Sequence, residues 1–151
     1  MSGFLSNTFA TVLFFLVSIS YAGLGDDVKK VIEDKVYFKS KALKITSKEN
    51  FNVHEMEAPE YNIREYVNSN NKVFAVAWSG LTHPELKQVL SSYYDEYLSE
   101  AQKQKRTRGQ RFRVVKSKNV TLILSGHMRN LKGKVYLHSN LPRGLAAHEI
   151  R

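Results

Sequence analysis

The sequence predicts an α+β fold, with an N-terminal helix, a three-stranded antiparallel meander, a long amphipathic helix, and then two or three further antiparallel strands. Short apolar or alternating runs separated by turn residues indicate the strands. One stretch of about 20 residues instead repeats its apolar positions every three or four residues, which is typical of an amphipathic helix. The chain has 151 residues, which is enough for one domain with its own core.

Residues 1–22 are interpreted as a signal peptide. They contain no Asp, Glu, Lys or Arg, and an apolar run from Phe9 to Ile19 leads to small residues that end at Ala22. This pattern is typical of a cleaved secretory leader. An uncleaved membrane anchor is the alternative, although the Ser, Asn and Thr residues of this stretch disfavour a stable span.

Cleavage after Ala22 predicts an exported protein, periplasmic or secreted, that retains no transmembrane span. The mature chain, 23–151, is then expected to be a single α+β domain, with a helix and connector over 23–50 and the core over 51–151. No cysteine occurs in the sequence. Disulfides, Cys-ligated zinc and thiol nucleophiles are therefore excluded.

The first elements are predicted from capping, periodicity and turn residues. Asp26 or Asp27 can cap the N-terminal helix, and the Lys/Ser/Asn-rich segment 38–50 is expected to be a connector. Strands of the meander are predicted at 51–58, 63–68 and 72–79. The third is a near-continuous apolar run, which predicts burial on both faces. Before it, Ser69, Asn70 and Asn71 tolerate positive φ and predict a tight hairpin.

The long helix is predicted from Thr82 to Ala101. Thr82 and Glu85 have the spacing of a capping box, and Pro84 suits the first turn because its missing N–H needs no partner there. The apolar face that is expected to pack on the sheet consists of Leu86, Val89, Leu90, Tyr93, Tyr97 and Ala101.

Further strands are predicted at 112–115, 120–125 and 129–137. Gly133 interrupts the last of them and predicts a bulge or a turn. The tail, 140–151, contains Pro142 and Gly144 and is expected to be irregular. The two strand groups can form one continuous sheet or two separate ones.

Charge is distributed very unevenly along the mature chain. From Gly23 to Glu100 there are 10 Lys/Arg against 13 Asp/Glu, a net of −3, whereas Ala101 to His148 holds 12 Lys/Arg and no acid. Such a block is either a solvated face or an electrostatic footprint for a polyanion. The candidate polyanion-binding residues are Lys103, Lys105, Arg106, Arg108, Arg111 and Arg113.

Several segments also resemble a known family. In order, they read VHE from Val53, REYV from Arg64, VFAVAWSG from Val73, PELKQVL from Pro84, YY from Tyr93, SGHMR from Ser125 and GKVYL from Gly133. The chain resembles the bacterial exported proteins grouped as domain of unknown function 2844, over essentially the whole mature part. The resemblance implies an exported location and leaves the activity open.

Two histidines are weak catalytic candidates. His127 lies between Gly126 and Met128, where it is a general base, an anion ligand or simply a turn histidine. His54 is expected to face inward with Met56, as a core residue or a catalytic one.

The carboxylates Glu55, Glu57 and Glu65 can do acid/base work or pair with Arg64 across strands. The five histidines lack metal-ligand spacing and no nucleotide or nucleophile motif occurs. We therefore expect no metal and no cofactor.

Three functions are weighed. The leading hypothesis is a non-enzymatic exported protein that binds an envelope protein or a small ligand on its sheet, through Arg64, Tyr66 and Trp78 in a region expected to be exposed, together with His127 and Arg129. The second is a binder of lipopolysaccharide, anionic lipid or nucleic acid through the basic segment. The third is a hydrolase that depends on one of the two histidines.

Overall fold

The computed structural model describes residues 23–105 and 107–151, except for the side chains of residues 30 and 32–34. The expected signal peptide and Arg106 lie outside the described residues. None of the helices in this part of the chain has the length and apolar character needed to span a membrane.

The strands form one antiparallel sheet, which the helices flank. The sheet order is β1-β2-β3-β4-β7-β6-β5. A 3₁₀ turn, Val28–Lys30, leads into the first helix, and another, Ser91–Tyr93, links the second and third helices. The elements are α1 (Val31–Tyr37), β1 (Leu43–Ser47), β2 (Phe51–Glu57), β3 (Tyr61–Asn68), β4 (Val73–Gly80), α2 (Leu86–Leu90), α3 (Tyr94–Lys103), β5 (Phe112–Lys116), β6 (Val120–His127) and β7 (Asn130–Leu137).

The predicted α+β fold class is wrong, because a seven-stranded sheet dominates the described chain and the helices are short. One unforeseen strand, β1, occupies the segment expected to be a connector and pairs with β2 from Leu43↔Met56 to Ser47↔Asn52. It was missed because an edge strand with exposed side chains carries little apolar alternation. Ile45, for example, remains 57% exposed.

The prediction of one long helix is also wrong, because the helical segment breaks at Ser91, whose φ is +47°. The N-terminal segment forms hydrogen bonds at the break. The Leu24 N–H donates to the Val89 carbonyl at 3.0 Å, an acceptor that a continuous helix would give to the N–H four residues later. The Ser91 hydroxyl donates to Asp26 Oδ2 at 3.0 Å. Contacts distant in sequence therefore override the helical periodicity.

The predicted capping box does not form. The Thr82 hydroxyl donates to Glu60 Oε2 at 2.8 Å, and Glu85 is itself the N-cap residue of α2, without a side-chain capping bond. Its carboxylate accepts from the Tyr37 hydroxyl instead. At the N-terminal helix the expectation is confirmed, since Asp27 Oδ1 accepts from the Lys29 N–H at 3.0 Å.

The predicted meander and its hairpin are confirmed. β2 pairs with β3, and β3 with β4, both antiparallel. The Asn71 N–H donates to the Asn68 carbonyl and Asn71 has φ +58°, as expected for a turn residue of this type. All six residues of the apolar run from Val73 to Trp78 are buried.

Gly133 marks neither a bulge nor a turn, because the pairing of β7 with both neighbours is regular through it. It pairs with Trp78, and a Cβ at position 133 would overlap the indole ring of Trp78. The glycine is therefore required by the close approach of a large side chain across the strands.

The two sides of the sheet bury different cores. The helix face packs Met56, Ile63, Leu122 and Val135 against the helices. The tail face is the opposite side, where Tyr66, Phe74 and Ala77 pack against the C-terminal tail, residues 138–151. The tail contains no helix or strand, as predicted, and yet Ile150 is only 1% exposed.

Replacing Gly133 with Ala should lower the free energy of unfolding by about 3 kcal/mol, because the added methyl group displaces the Trp78 ring from a closely packed seam. Urea denaturation of the purified protein measures this. The matched control is Gly109→Ala, where φ is +81° and an added Cβ would meet no atom of the other described residues within 4 Å, its chain neighbours aside. That change should cost about 1 kcal/mol, because a residue with a Cβ is disfavoured at positive φ. Equal losses in the two variants would contradict the packing of Trp78 on Gly133.

Candidate functional site

Side chains of the sheet fasten the C-terminal tail, and Tyr66 and Lys134 each make two of these bonds. The Tyr66 hydroxyl donates to the main-chain oxygen of Arg151 at 2.9 Å and accepts from its N–H at 3.0 Å. The Lys134 ammonium donates to the carbonyls of Ala147 at 2.7 Å and Ile150 at 3.1 Å. The end of the tail is therefore held across β3, β4 and β7.

A cleft of about 330 Å³ lies between the tail and the sheet. One row of paired residues explains its position: Arg64 on β3 pairs with Ala77 on β4, and Ala77 pairs with Lys134 on β7. These three side chains share the tail face, and the small Ala77 leaves room between two long cations. The lining residues are Arg64, Trp78, Ser79, Ile123, Ser125, Lys132, Gly133, Lys134, His148, Ile150 and Arg151.

The cleft is strongly cationic. As far as the structure describes the chain, its lining contains four Lys or Arg side chains and one His, but no Asp or Glu. Glu55 Oε1 accepts from Arg64 Nε at 2.7 Å, so one carboxylate near the cleft pairs with one of these cations. Arg64 Nη1 also donates to the Arg151 main-chain oxygen at 3.0 Å. The positive charge of the other cations therefore favours an anionic ligand.

The surroundings of Lys134 disfavour the charged form of its side chain. Burial lowers the pKa of its ammonium, and the positive charge of Arg151 lowers it further. An anion in the cleft would offset both effects, because it would supply the counter-charge that the lining lacks.

The candidate binding residues are divided among three places. Arg64 and Trp78 line the cleft, and Tyr66 holds the tail beside it. The expectation that this region is exposed is wrong for two of them, since Trp78 is 3% and Tyr66 5% exposed. Their rings pack in the cores of the two opposite faces.

His127 and Arg129 lie elsewhere, at the exposed β6–β7 hairpin, and neither lines the cleft. Arg129 has φ +63°. The structure therefore separates these two residues from Arg64, Tyr66 and Trp78.

Sequence reasoning missed Lys132, Lys134, His148 and Arg151. The pairing of β7 with β4 brings Lys132 and Lys134 to the cleft, and the packing of the tail on the sheet brings His148 and Arg151. The period-two alternation of Lys132 and Lys134 is the one sequence signal that could have placed both on a single face.

The two catalytic candidates, His54 and His127, lie in different environments. His54 is buried on the helix face, where its strand partner is Glu65, and burial lowers its pKa. His127 is exposed at its hairpin. Among the described residues, no group of three or more His, Cys, Asp or Glu side chains is arranged to hold a metal ion.

The three carboxylates proposed as a cluster do not converge. Glu55 pairs with Arg64 on the tail face. Glu65 is buried on the opposite face and Glu57 is exposed at the end of β2. The reason is the period of two along each strand, which sends Glu65 to the other side of the sheet from its neighbour Arg64.

His83 is a histidine with a defined role that the sequence did not reveal. Its Nδ1 accepts from Trp78 Nε1 at 2.8 Å. The neutral ring therefore carries its proton on Nε2, because indole N–H can only donate. Burial lowers the pKa of His83.

The basic segment is partly structural. Lys103 pairs with Glu100 at 2.7 Å. Arg113 Nη2 donates to the Ala101 carbonyl at 2.8 Å, which caps the C-terminal end of α3. Lys105, Arg108 and Arg111 are exposed around the loop that follows.

Comparison with known proteins gives one match. A protein-family model described as "Protein of unknown function (DUF2844)" matches residues 20–150. No curated protein and no solved structure matches the chain.

Lowering the pH should destabilise the protein. Burial holds the pKa values of His54 and His83 below the ordinary histidine value in the folded state, so the unfolded chain binds more protons. The free energy of unfolding should therefore be highest above about pH 6.5 and fall as the pH drops below it. Urea denaturation across this range measures the slope.

His83→Asn should reduce that slope, because an amide oxygen can accept from the Trp78 indole and does not titrate. His127→Asn, at an exposed position, is the matched control and should leave the slope unchanged. A slope that is the same in His83→Asn as in the unmodified protein would contradict the assigned role of His83.

Proposed function

The chain belongs to the family described as protein of unknown function DUF2844, and from that premise we propose that it is an exported, non-enzymatic protein that binds a small anionic ligand. The ligand occupies the cleft between the C-terminal tail and the sheet. Export to the periplasm or the medium rests on the charge-free leader of residues 1–22 and its small residues at the end.

The observation that carries the proposal is the lining of the cleft. Among the described residues, five basic ones converge there without an Asp or Glu, on the face of the sheet that the tail covers. Like charges repel when they are held together with partial desolvation. A fold that holds them together in this way is suited to an anion, which gains charge-assisted hydrogen bonds from several donors at once.

A small ligand suits this cleft better than an envelope protein does. The tail forms one wall and the sheet another, so the cationic groups face a confined space of about 330 Å³. That volume is at the low end of small-molecule sites. A large partner could reach only the exposed rim, at Lys132, His148 and Arg151.

Binding without catalysis is proposed because the two catalytic candidates lie away from the cleft. His54 is buried on the helix face and His127 is exposed at a hairpin. General acid–base chemistry needs a group within hydrogen-bond reach of the reacting atom. Neither histidine lines the cleft.

The basic loop supports a second candidate function. Lys105, Arg108 and Arg111 are exposed around it, where they could contact the phosphates of lipopolysaccharide, anionic lipid or nucleic acid. Such contacts weaken steeply as salt rises. Lys105→Gln would weaken binding of a polyanion through the loop and leave binding in the cleft unchanged.

Lys132→Gln should weaken the binding of inorganic phosphate or glycerol 3-phosphate roughly tenfold or more, since hydrogen bonds to charged groups contribute about 1.5–3 kcal/mol. Isothermal titration calorimetry measures the dissociation constants. Lys132 is chosen because it is exposed, whereas Lys134 also fastens the tail.

Lys87→Gln is the matched control, because Lys87 is an exposed cation on α2, away from the cleft. Its affinity for phosphate should equal that of the unmodified protein. Equal losses in both variants, or no binding of any small anion to the unmodified protein, would contradict the proposed function.

A further inference from the structure

An apolar ridge on the tail face continues outward from the cleft. Phe112 and Val114 alternate along the edge strand β5 and remain 58% and 39% exposed. Val114 pairs with Ile123, and Phe112 pairs with Ser125. Both of these partners line the cleft. The ridge, defined as Phe112, Val114 and Ile123, is therefore continuous with the cationic site.

The C-terminal tail leaves this ridge uncovered. Its apolar residues Leu141, Leu145 and Ile150 pack in the cluster built on Tyr66, Phe74 and their neighbours, and that cluster contains no residue of the ridge. Contiguous exposed apolar side chains beside a polar rim are typical of a binding surface.

A charged and an apolar side chain lie at opposite ends of one row of residues that crosses three neighbouring strands. Lys132 on β7 pairs with Ser125 on β6, which pairs with Phe112 on β5. The cationic group thus lies at the cleft end of this row and the aromatic ring at the edge end. A ligand that spans the row needs an anionic group at one end and an apolar body at the other.

The edge of β5 is poorly suited to a peptide that would extend the sheet. Gln104 Nε2 donates to the Val114 carbonyl at 2.9 Å, which occupies an acceptor that an added strand would need. An alkyl chain has no hydrogen-bonding groups and needs only the ridge side chains.

We propose that the cleft and the ridge together bind a single-chain anionic amphiphile, with its phosphate or carboxylate head in the cleft and its alkyl chain along the ridge. This inference rests on the proposed function, since it uses the same cationic cleft for the head group. It adds the apolar part of the ligand and the residues that contact it.

The test is calorimetric titration with alkyl phosphates of increasing chain length, from ethyl to octyl phosphate, as monomers. Each methylene that the ridge buries should strengthen binding roughly fourfold, until the chain extends past Phe112. The same titration with alkyl carboxylates distinguishes a phosphate head from a carboxylate head. Alkyl alcohols of the same lengths should bind far more weakly, because they lack the charge.

Phe112→Ser should flatten the dependence on chain length while leaving ethyl phosphate binding unchanged. Leu81→Ser is the matched control, because Leu81 is 54% exposed and lies outside both cleft and ridge. That variant should keep the full dependence on chain length.

The outcomes separate this inference from the proposed function. If ethyl phosphate binds and longer chains add nothing, the amphiphile inference is wrong and the anion site stands. If no alkyl phosphate or carboxylate binds, both are wrong. If only vesicles of anionic phospholipid bind, the ridge is a membrane-contact surface and the inference is overturned.

Discussion

The pairing of β4 with β7 is the constraint on which the rest of the structure depends. It joins the meander β1–β4 to the hairpin strands β5–β7 and makes one sheet of the two groups. Trp78 and Gly133 meet in this seam, where a large ring is accommodated by the missing side chain opposite it. The same seam brings Arg64 and Lys134 to either side of Ala77. The single continuous sheet and the cationic cleft thus have the same cause.

The two faces of the sheet differ in role: the helix face buries the larger core, and the tail face carries the cleft of the proposed function. On the helix face, apolar side chains of most strands pack against short helices, and the break at Ser91 lets the N-terminal segment bond to the end of α2. On the tail face an irregular segment covers only part of the sheet. Tyr66, Arg64 and Lys134 fasten that segment through its main-chain groups, so two cations of the cleft are also structural anchors.

Local sequence signals predicted the elements that depend on local physics. The hairpin at Asn71, the buried run from Val73 to Trp78 and the cap at Asp27 all follow from turn chemistry, burial and capping. The broken helix and β1 could not be predicted in this way. The break in the helix is accompanied by a hydrogen bond from Leu24 to Val89, and β1 forms by pairing at an exposed edge of the sheet.

The site was predictable only in part, for a related reason. Arg64 and Trp78 stood out as chemistry-bearing residues on strands, and both line the cleft. In the sequence, Lys132 and Lys134 are only two cations of a generally basic region. Their position in the cleft depends on the register between strands that are distant in sequence. Gly133 was read as an interruption for the same reason. Its role appears only when Trp78 is placed opposite it.

The most direct test of this account is a nuclear Overhauser measurement on the protein in solution, between the indole protons of Trp78 and the α protons of Gly133. The sequence contains a single tryptophan, so the indole signals are assigned without ambiguity. The account predicts strong cross-peaks and Gly133 α protons shifted by the ring current of the indole. Absent cross-peaks, with Gly133 at ordinary shifts, would contradict the β4–β7 seam and the cleft that depends on it.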